Sequence, residues 1–280
     1  MTLTNDSVAV ITGAGSGIGR ALAVTFAKAG ILALAIADKN EQGLIETKSL
    51  IGRSDKRISL HVVDVADLMK MREFVQDVIS KYGRVTHLVN NAGVSLIGGV
   101  EEVSIEDIQW LMNINFWGMV YGVKLFLPIL LKQPVAHIIN ISSVFGLIAP
   151  PGNAAYSASK FAMRGFTESL SNELRKTNVA VSCVHPGGVL TNIVKNGKLG
   201  VNSDGQLKDQ AVHLHASVSR TTAEEAAEII LRGIRRKSRR ILIGTDARFI
   251  DVIQRMSPVN YFSFMNWLSG RKLEKVTGRR

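Results

Sequence analysis

The start of the chain constrains its fold most. A short β-branched run, Val8 to Thr12, empties into Gly13-Ala14-Gly15-Ser16-Gly17-Ile18-Gly19. An alanine-rich helical pattern follows to Ala29 and is closed by Gly30. A second apolar run, Leu32 to Ala37, ends at Asp38. Strand, glycine turn, helix, strand and acid, in that order, are the parts of a dinucleotide-binding unit. Glycines let the backbone approach a pyrophosphate, and the helix start offers free N–H groups and the positive end of its dipole. Asp38 follows Gly19 by 19 residues, about where a carboxylate takes ribose hydroxyls.

The alternation continues. Helical patterns span Glu41–Ile51, Asp67–Tyr82 with Asp67 as N-cap, Glu106–Leu131 bounded by Pro134, Tyr156–Lys176 and Ala223–Arg235. Between them lie apolar runs at Ile58–Val63, Val85–Val89, Val135–Ile141, Val179–His185 and Arg240–Ile243. Continuous apolar strands alternating with helices predict an α/β fold, a doubly wound parallel sheet of about seven strands with helices on both faces. Without a repeat, linker or composition break before residue 235, residues 1–245 are expected to form one dinucleotide-binding and catalytic domain, with 246–280 as a basic, aromatic-containing extension. Ligands of such sheets bind outside the carboxyl ends of the strands. Gly13–Gly19, Asp38, Asp64-Val65, Asn90–Gly93, Ser142-Ser143 and Pro186–Thr191 all fall at predicted strand ends, so six strands point to one crevice.

Into that crevice the stretch Ser142 to Lys160 brings a serine, a tyrosine and a lysine. Tyr156 and Lys160, four residues apart on a helix, share one face. A free phenol titrates near pH ~10, and each pKa unit is about 1.4 kcal/mol. Making Tyr156 a base near neutrality needs roughly 4 kcal/mol of preference for the phenolate. One cation at about 4 Å and an effective dielectric of ~20 supplies about that much.

These motifs resemble those of the short-chain dehydrogenase/reductase family in its compact single-domain form, over residues 7–245. Thr12 to Gly19 matches its T-G-x-x-x-G-x-G, Asn90-Asn91-Ala92-Gly93 its N-N-A-G, and Pro186 to Thr191 its P-G-x-V-x-T. The resemblance implies a Rossmann-type fold and a catalytic set of Asn115, Ser143, Tyr156 and Lys160. Ser143 is selected over Ser142 by lying 13 residues before Tyr156, and Asn115 by the string Asn115-Phe116-Trp117-Gly118. It implies Tyr156 as acid/base, Lys160 lowering its pKa and holding the cofactor ribose, Ser143 donating to the substrate oxygen, and Asn115 anchoring a water that links Lys160 to solvent. The implied cofactor contacts are Gly13, Ser16, Gly17, Ile18, Gly19, Asp38, Asp64, Val65, Asn91, Ala92, Gly93, Tyr156, Lys160, Val189 and Thr191. Asp38 repels a 2′-phosphate and Ser16 is uncharged, so NAD is favoured over NADP; Lys39 is the contrary feature. The expected reaction interconverts an alcohol and its carbonyl. The alternatives are an NADP-dependent carbonyl or acyl reductase and a non-catalytic dinucleotide sensor. Such sensors usually lack the tyrosine or the lysine, and both are present here.

Charge is uneven. Of the net +11, residues 235–280 carry +9, with 12 of the 34 Lys and Arg against three acids, so the body is near neutral and no nucleic-acid partner is expected. One cysteine, Cys183, sits in an apolar run and reads as a buried strand residue. The six histidines lack ligand spacing, His213-Leu214-His215 included, and no metal is expected. Phe116 to Leu131, interrupted by Lys124 and Pro128, is too short to cross a membrane, and with no secretory signal a cytoplasmic protein is expected. By the resemblance this helix and the one after Tyr156 form the interface of a homodimer or homotetramer. Gly200 to Arg220 is expected to be a lid over a small-molecule substrate. Asp246 to Met256 has helical spacing with Phe249, Ile250, Ile253 and Met256 on one face, followed by Tyr261 to Leu268 and a basic tail. That pattern fits either a helix packed on the substrate crevice or an interfacial helix on an anionic membrane, and both imply a hydrophobic substrate.

Overall fold

The computed structural model describes residues 3–52, 57–200, 212–213 and 219–268. Seven strands, β1 (Val8–Thr12), β2 (Ala33–Asp38), β3 (Arg57–Val62), β4 (His87–Asn90), β6 (Ala136–Ile141), β7 (Val179–Pro186) and β9 (Arg240–Ile243), pair in parallel in the order β3-β2-β1-β4-β6-β7-β9. Two short strands, β5 (Leu96–Ile97) and β8 (Lys198–Leu199), pair with each other. The helices are α1 (Gly17–Lys28), α2 (Glu41–Ile51), α3 (Leu68–Tyr82), α4 (Ile105–Met112), α5 (Gly118–Leu130), α6 (Ala154–Glu173), α7 (Ala223–Arg235), α8 (Thr245–Met256) and α9 (Tyr261–Leu268).

Successive strand side chains point to opposite faces, and both faces are covered. Ala9 and Ile11 pack with Leu22 and Phe26 of α1 and Ile230 and Ile234 of α7. Val10 packs with Met71 and Phe74 of α3, Phe126 of α5 and Met163 of α6. This is the doubly wound, seven-stranded Rossmann-type sheet that the alternation predicts. The helix after β1 and those after β4 lie on opposite faces, so the order reverses between these two neighbours and a crevice opens at their carboxyl ends.

Local signals act as expected at several ends. The Asp67 carboxylate accepts from the Met69 and Lys70 N–H groups at the start of α3, and Gly30 takes φ +94° after α1. Cys183 is buried in β7, where burial pushes its thiol up to about 12. The long helix expected over Glu106–Leu131 differs: a π-turn, Asn113–Trp117, joins α4 to α5. One extra residue in a turn leaves the apolar periodicity nearly intact, so the pattern does not show it, yet it re-aims Asn115. The two-residue strands β5 and β8 are too short to carry a pattern. The extension is anchored: Arg240 of β9 donates to Asp251 of α8 (2.7 Å) and to Glu168 of α6 (2.8 Å). Its apolar face divides, with Ile253 buried while Phe249 and Met256 stay exposed. The expected lid over Gly200–Arg220 lies mostly outside the described residues, as does the basic tail after Leu268. Among the described residues no helix is long and apolar enough to cross a membrane.

His87, His137 and His185 are buried in β4, β6 and β7, and burial lowers their pKa from 6.5 to about 4, 3 and 4. They stay neutral in the native protein at pH values where the unfolded chain protonates them, so stability is lost as pH falls from 6.5 towards 4. Each contributes at most about 1.4 kcal/mol per pH unit in that window. Urea unfolding at several pH values should show this slope, and His137→Gln should reduce it by up to one proton; an unchanged slope contradicts the assignment.

Candidate active site

The glycine turn is held from behind. Gly13 (φ +65°) and Gly17 (φ +51°) occupy left-handed backbone, and a Cβ on Gly19 would lie 2.1 Å from the Gly13 carbonyl oxygen. Arg20 of α1 donates to the Gly15 carbonyl and pairs with Glu46 at 2.7 Å, while the Thr47 hydroxyl donates to the Ala14 carbonyl. From the other strand, Asn91 Nδ2 donates to the carbonyls of Thr12 and Gly13, both at 3.0 Å. Asp38 is fixed at both oxygens, accepting from Gly15 N–H and Asn40 N–H at 2.9 Å each. Ser16, the N-cap of α1, makes no side-chain cap, and no acid occupies the first turn. The amide end of α1 is therefore uncovered beside a fixed carboxylate, a donor and acceptor set that fits a pyrophosphate and a ribose.

The opposite wall carries the tyrosine, lysine and serine. Ser143 follows β6 in extended backbone, its hydroxyl accepting from Phe145 N–H and its carbonyl oxygen meeting His185 Nδ1 at 3.0 Å. Tyr156 lies in the first turn of α6, partly open to the cleft. Lys160 is buried one turn on, its Nζ donating to the Ile141 carbonyl (3.1 Å) and lying 5.6 Å from the centre of the Tyr156 ring. Burial pushes the phenol up to about 12, opposed by a hydrogen bond from Ser143, and pushes the Lys160 ammonium down to about 8. The lowering of the Tyr156 pKa implied by the resemblance is thus not a property of the chain by itself. Desolvation outweighs the contribution of Ser143, and the ammonium over the ring is itself weakened by the same burial.

Asn115 lies behind this wall, fully buried. Its oxygen accepts from Val94 N–H, and its amide hydrogens go to the Val94 carbonyl and the Ser159 hydroxyl. Both ends of the side chain are engaged, and it ties the loop after β4 to α6. The Ser159 hydroxyl in turn donates to the Tyr156 carbonyl, so the tie ends beside the tyrosine.

Between the walls is a cleft of about 780 Å³. Gly13, Ser16, Gly17, Ile18, Asp38, Asp64, Val65, Asn91, Ala92, Gly93, Ser143, Tyr156, Lys160, Val189 and Thr191 all line it. Gly19 does not, since it packs against the Gly13 carbonyl, and neither does Asn115. The apolar end is made by Phe262 and Met265, from the segment expected on the crevice, together with Ile97, Phe145, Ile148 and Ile193, which were not among the expected site residues. No shared motif marks these residues; only the hydrophobic character of Ile193-Val194 and of Tyr261 to Leu268 hinted at them. Sequence reasoning missed Asp246, whose carboxylate accepts from Gly188 N–H at 2.7 Å and holds the loop after β7.

Residues 7–200 match the family described as short chain dehydrogenase. A putative oxidoreductase, SadH, from Mycobacterium tuberculosis is 38% identical over 267 residues, 93% of this chain and 94% of that one. The dehydrogenase/reductase SDR family member 7B of Xenopus tropicalis is 32% identical, over 93% of this chain and 84% of the relative. Among solved structures, a Burkholderia phymatum short-chain dehydrogenase/reductase in complex with NAD superposes with a TM-score of 0.84 at 29% identity, over 92% of this chain and 96% of its own. Fold, motif-bearing strand ends and relatives agree, and the chain belongs to the short-chain dehydrogenases/reductases, NAD(P)-dependent oxidoreductases.

Proposed function

We propose that this enzyme uses NAD to interconvert a hydrophobic alcohol and its carbonyl, with Tyr156 as the acid/base. The observation that carries this reading is the buried Lys160 ammonium set over the Tyr156 ring, with Ser143 lining the same cleft wall. The nicotinamide supplies the hydride acceptor or donor. Tyr156 takes the proton from the substrate hydroxyl in oxidation and returns it to the carbonyl oxygen in reduction. Ser143 donates a hydrogen bond to that same oxygen as charge develops on it. Lys160 holds the ribose, and its positive charge favours the phenolate once the filled crevice adds a second cation. Two cations acting in a dry site are what bring a phenol down from about 12 to a working range. Asn115 positions the loop after β4 and the start of α6.

Asp38, pinned by Gly15 and Asn40, supports NAD over NADP, because a 2′-phosphate would meet its carboxylate. Arg20, the cation nearest the turn, is engaged by Glu46. NADP use has one supporting observation, the exposed Lys39 beside Asp38. The apolar end of the cleft supports a hydrophobic substrate. The exposed Trp117 and Phe161, on the helices around the Asn115 and Lys160 region, support a homodimer or homotetramer, and the single, unbridged Cys183 supports a reducing, cytoplasmic setting.

Tyr156→Phe should lower kcat by about 10²–10⁴-fold while leaving the NAD dissociation constant, measured by titration calorimetry, unchanged. Substantial residual turnover contradicts the role given to Tyr156. Asp38→Ala should raise the KM for NAD by about tenfold and narrow the NAD/NADP ratio, as loss of a charged hydrogen bond of about 1.5 kcal/mol implies. An unchanged ratio overturns the NAD preference.

A further inference from the structure

We propose that α8 and α9 dock this enzyme on an anionic bilayer surface, so that the two helices that wall the apolar end of the cleft also face the lipid. The proposal deepens the hydrophobic-substrate reading above and rests on it for the substrate, though not for the docking.

Both helices are apolar on two sides. On α8, Ala247, Asp251 and Ile253 are buried and Ile250 lines the cleft. On the opposite side Phe249, Val252 and Met256, at positions i, i+3 and i+7, form a stripe 52%, 54% and 82% exposed. On α9, Phe262 and Met265 line the cleft while Phe264 and Trp267 stack outward, with Trp267 74% exposed. One side of each helix is accounted for by the cleft; nothing among the described residues covers the other. The stripe does not come from a frayed end, because the Arg240–Asp251 pair pins α8 to the sheet.

Charge selects the occupant. Arg248 and Arg255, at i and i+7, run along one edge of the α8 stripe, Arg255 bridged to Asp251 at 3.1 Å. Arg248 also joins Arg232 and Arg236 of the α7 end around a hollow of about 240 Å³. None of these three has an ion-pair partner among the described residues. The sequence that follows, residues 269–280, adds five cations and one acid. An apolar stripe edged by arginines, with a tryptophan beside it, suits the boundary between acyl chains and anionic headgroups. A second copy packed through the same face about a two-fold axis would set these arginines against their own counterparts.

The test is flotation of the full chain with phosphatidylcholine vesicles, with and without phosphatidylglycerol, at low and high salt. The protein should float only with the anionic vesicles, and salt should weaken the binding. Phe249→Ser/Val252→Ser/Met256→Ser should cut the bound fraction by about tenfold, as should Arg232→Glu/Arg248→Glu, which alters no packed side chain. Turnover of a water-soluble alcohol should not change in either variant, while turnover of a long-chain alcohol delivered in anionic vesicles should fall with binding. Failure to float with anionic vesicles, equal binding to neutral ones, or variants that float like the parent overturn the proposal. So does a stripe variant whose light-scattering mass drops to a smaller oligomer, since the face is then a contact between copies. Flotation without NAD-linked turnover of any alcohol sinks the oxidoreductase reading alone and leaves the docking standing.

Discussion

Strands β1 and β4 are neighbours whose following helices leave to opposite faces of the sheet, and everything at the cleft depends on how that parting is held. Two parallel strands that diverge in this way leave backbone groups with no ladder partner at their carboxyl ends, and buried groups of that kind are costly. Here the gap is closed by two side chains. The Thr12 hydroxyl accepts from the N–H groups of Asn91 and Ala92, and the Asn91 amide donates to the carbonyls of Thr12 and Gly13. Small residues are required around this clamp, since a Cβ on Gly13 would lie 2.7 Å from Ala92 Cα. The clamp thereby fixes the glycine turn, and the turn fixes Asp38 through Gly15. One local solution to a backbone problem positions both ends of the dinucleotide crevice.

The same economy of position explains why the tyrosine and lysine differ from the simplest electrostatic expectation. Two groups a helical turn apart do interact, but burial acts on both at once and in the direction of the uncharged forms. The chain alone thus holds a protonated phenol and an ammonium brought close to its own titration. In the reading proposed here, the positive charge that completes the site arrives with the cofactor. Proton transfer is then coupled to a filled crevice, and the empty enzyme holds no exposed phenolate.

Much of this was legible in the sequence, for reasons that differ by residue. The alternation of apolar runs and helices gave the sheet, because a parallel sheet buried on both faces leaves no freedom for polar positions in its strands. Cleft-lining residues such as Gly13, Asp38, Asn91, Ser143, Tyr156 and Lys160 were legible because they sit at strand ends or one turn into a helix, where sequence spacing becomes spatial placement. The surroundings of Asn115 were not legible, because the π-turn that places it and its ties to Val94 and Ser159 are recorded by no local period. The face of α8 was misjudged for a related reason. Apolar spacing gave a single stripe through Phe249, Ile250, Ile253 and Met256, whereas packing against the sheet and the charge of Arg240 decide which of those residues turn inward.

The least legible part, the apolar end of the cleft, is assembled from segments distant in sequence. Ile97 follows β4, Phe145 and Ile148 follow β6, Ile193 follows β7, and Phe262 and Met265 come from the last helix. Each lies on a connection whose length and composition the sheet does not dictate, so substrate preference can change there without disturbing the clamp between β1 and β4. The same independence bears on the outward faces of α8 and α9. A helix that only closes a pocket needs one apolar side, and polar residues on the other would favour solubility. Exposed Phe249, Val252, Met256 and Trp267 are unfavourable in water and contribute nothing to the cleft wall, so their cost is offset only if something apolar meets them. With Arg248 alongside, unpaired among the described residues, a surface that is apolar below and anionic above meets both requirements at once.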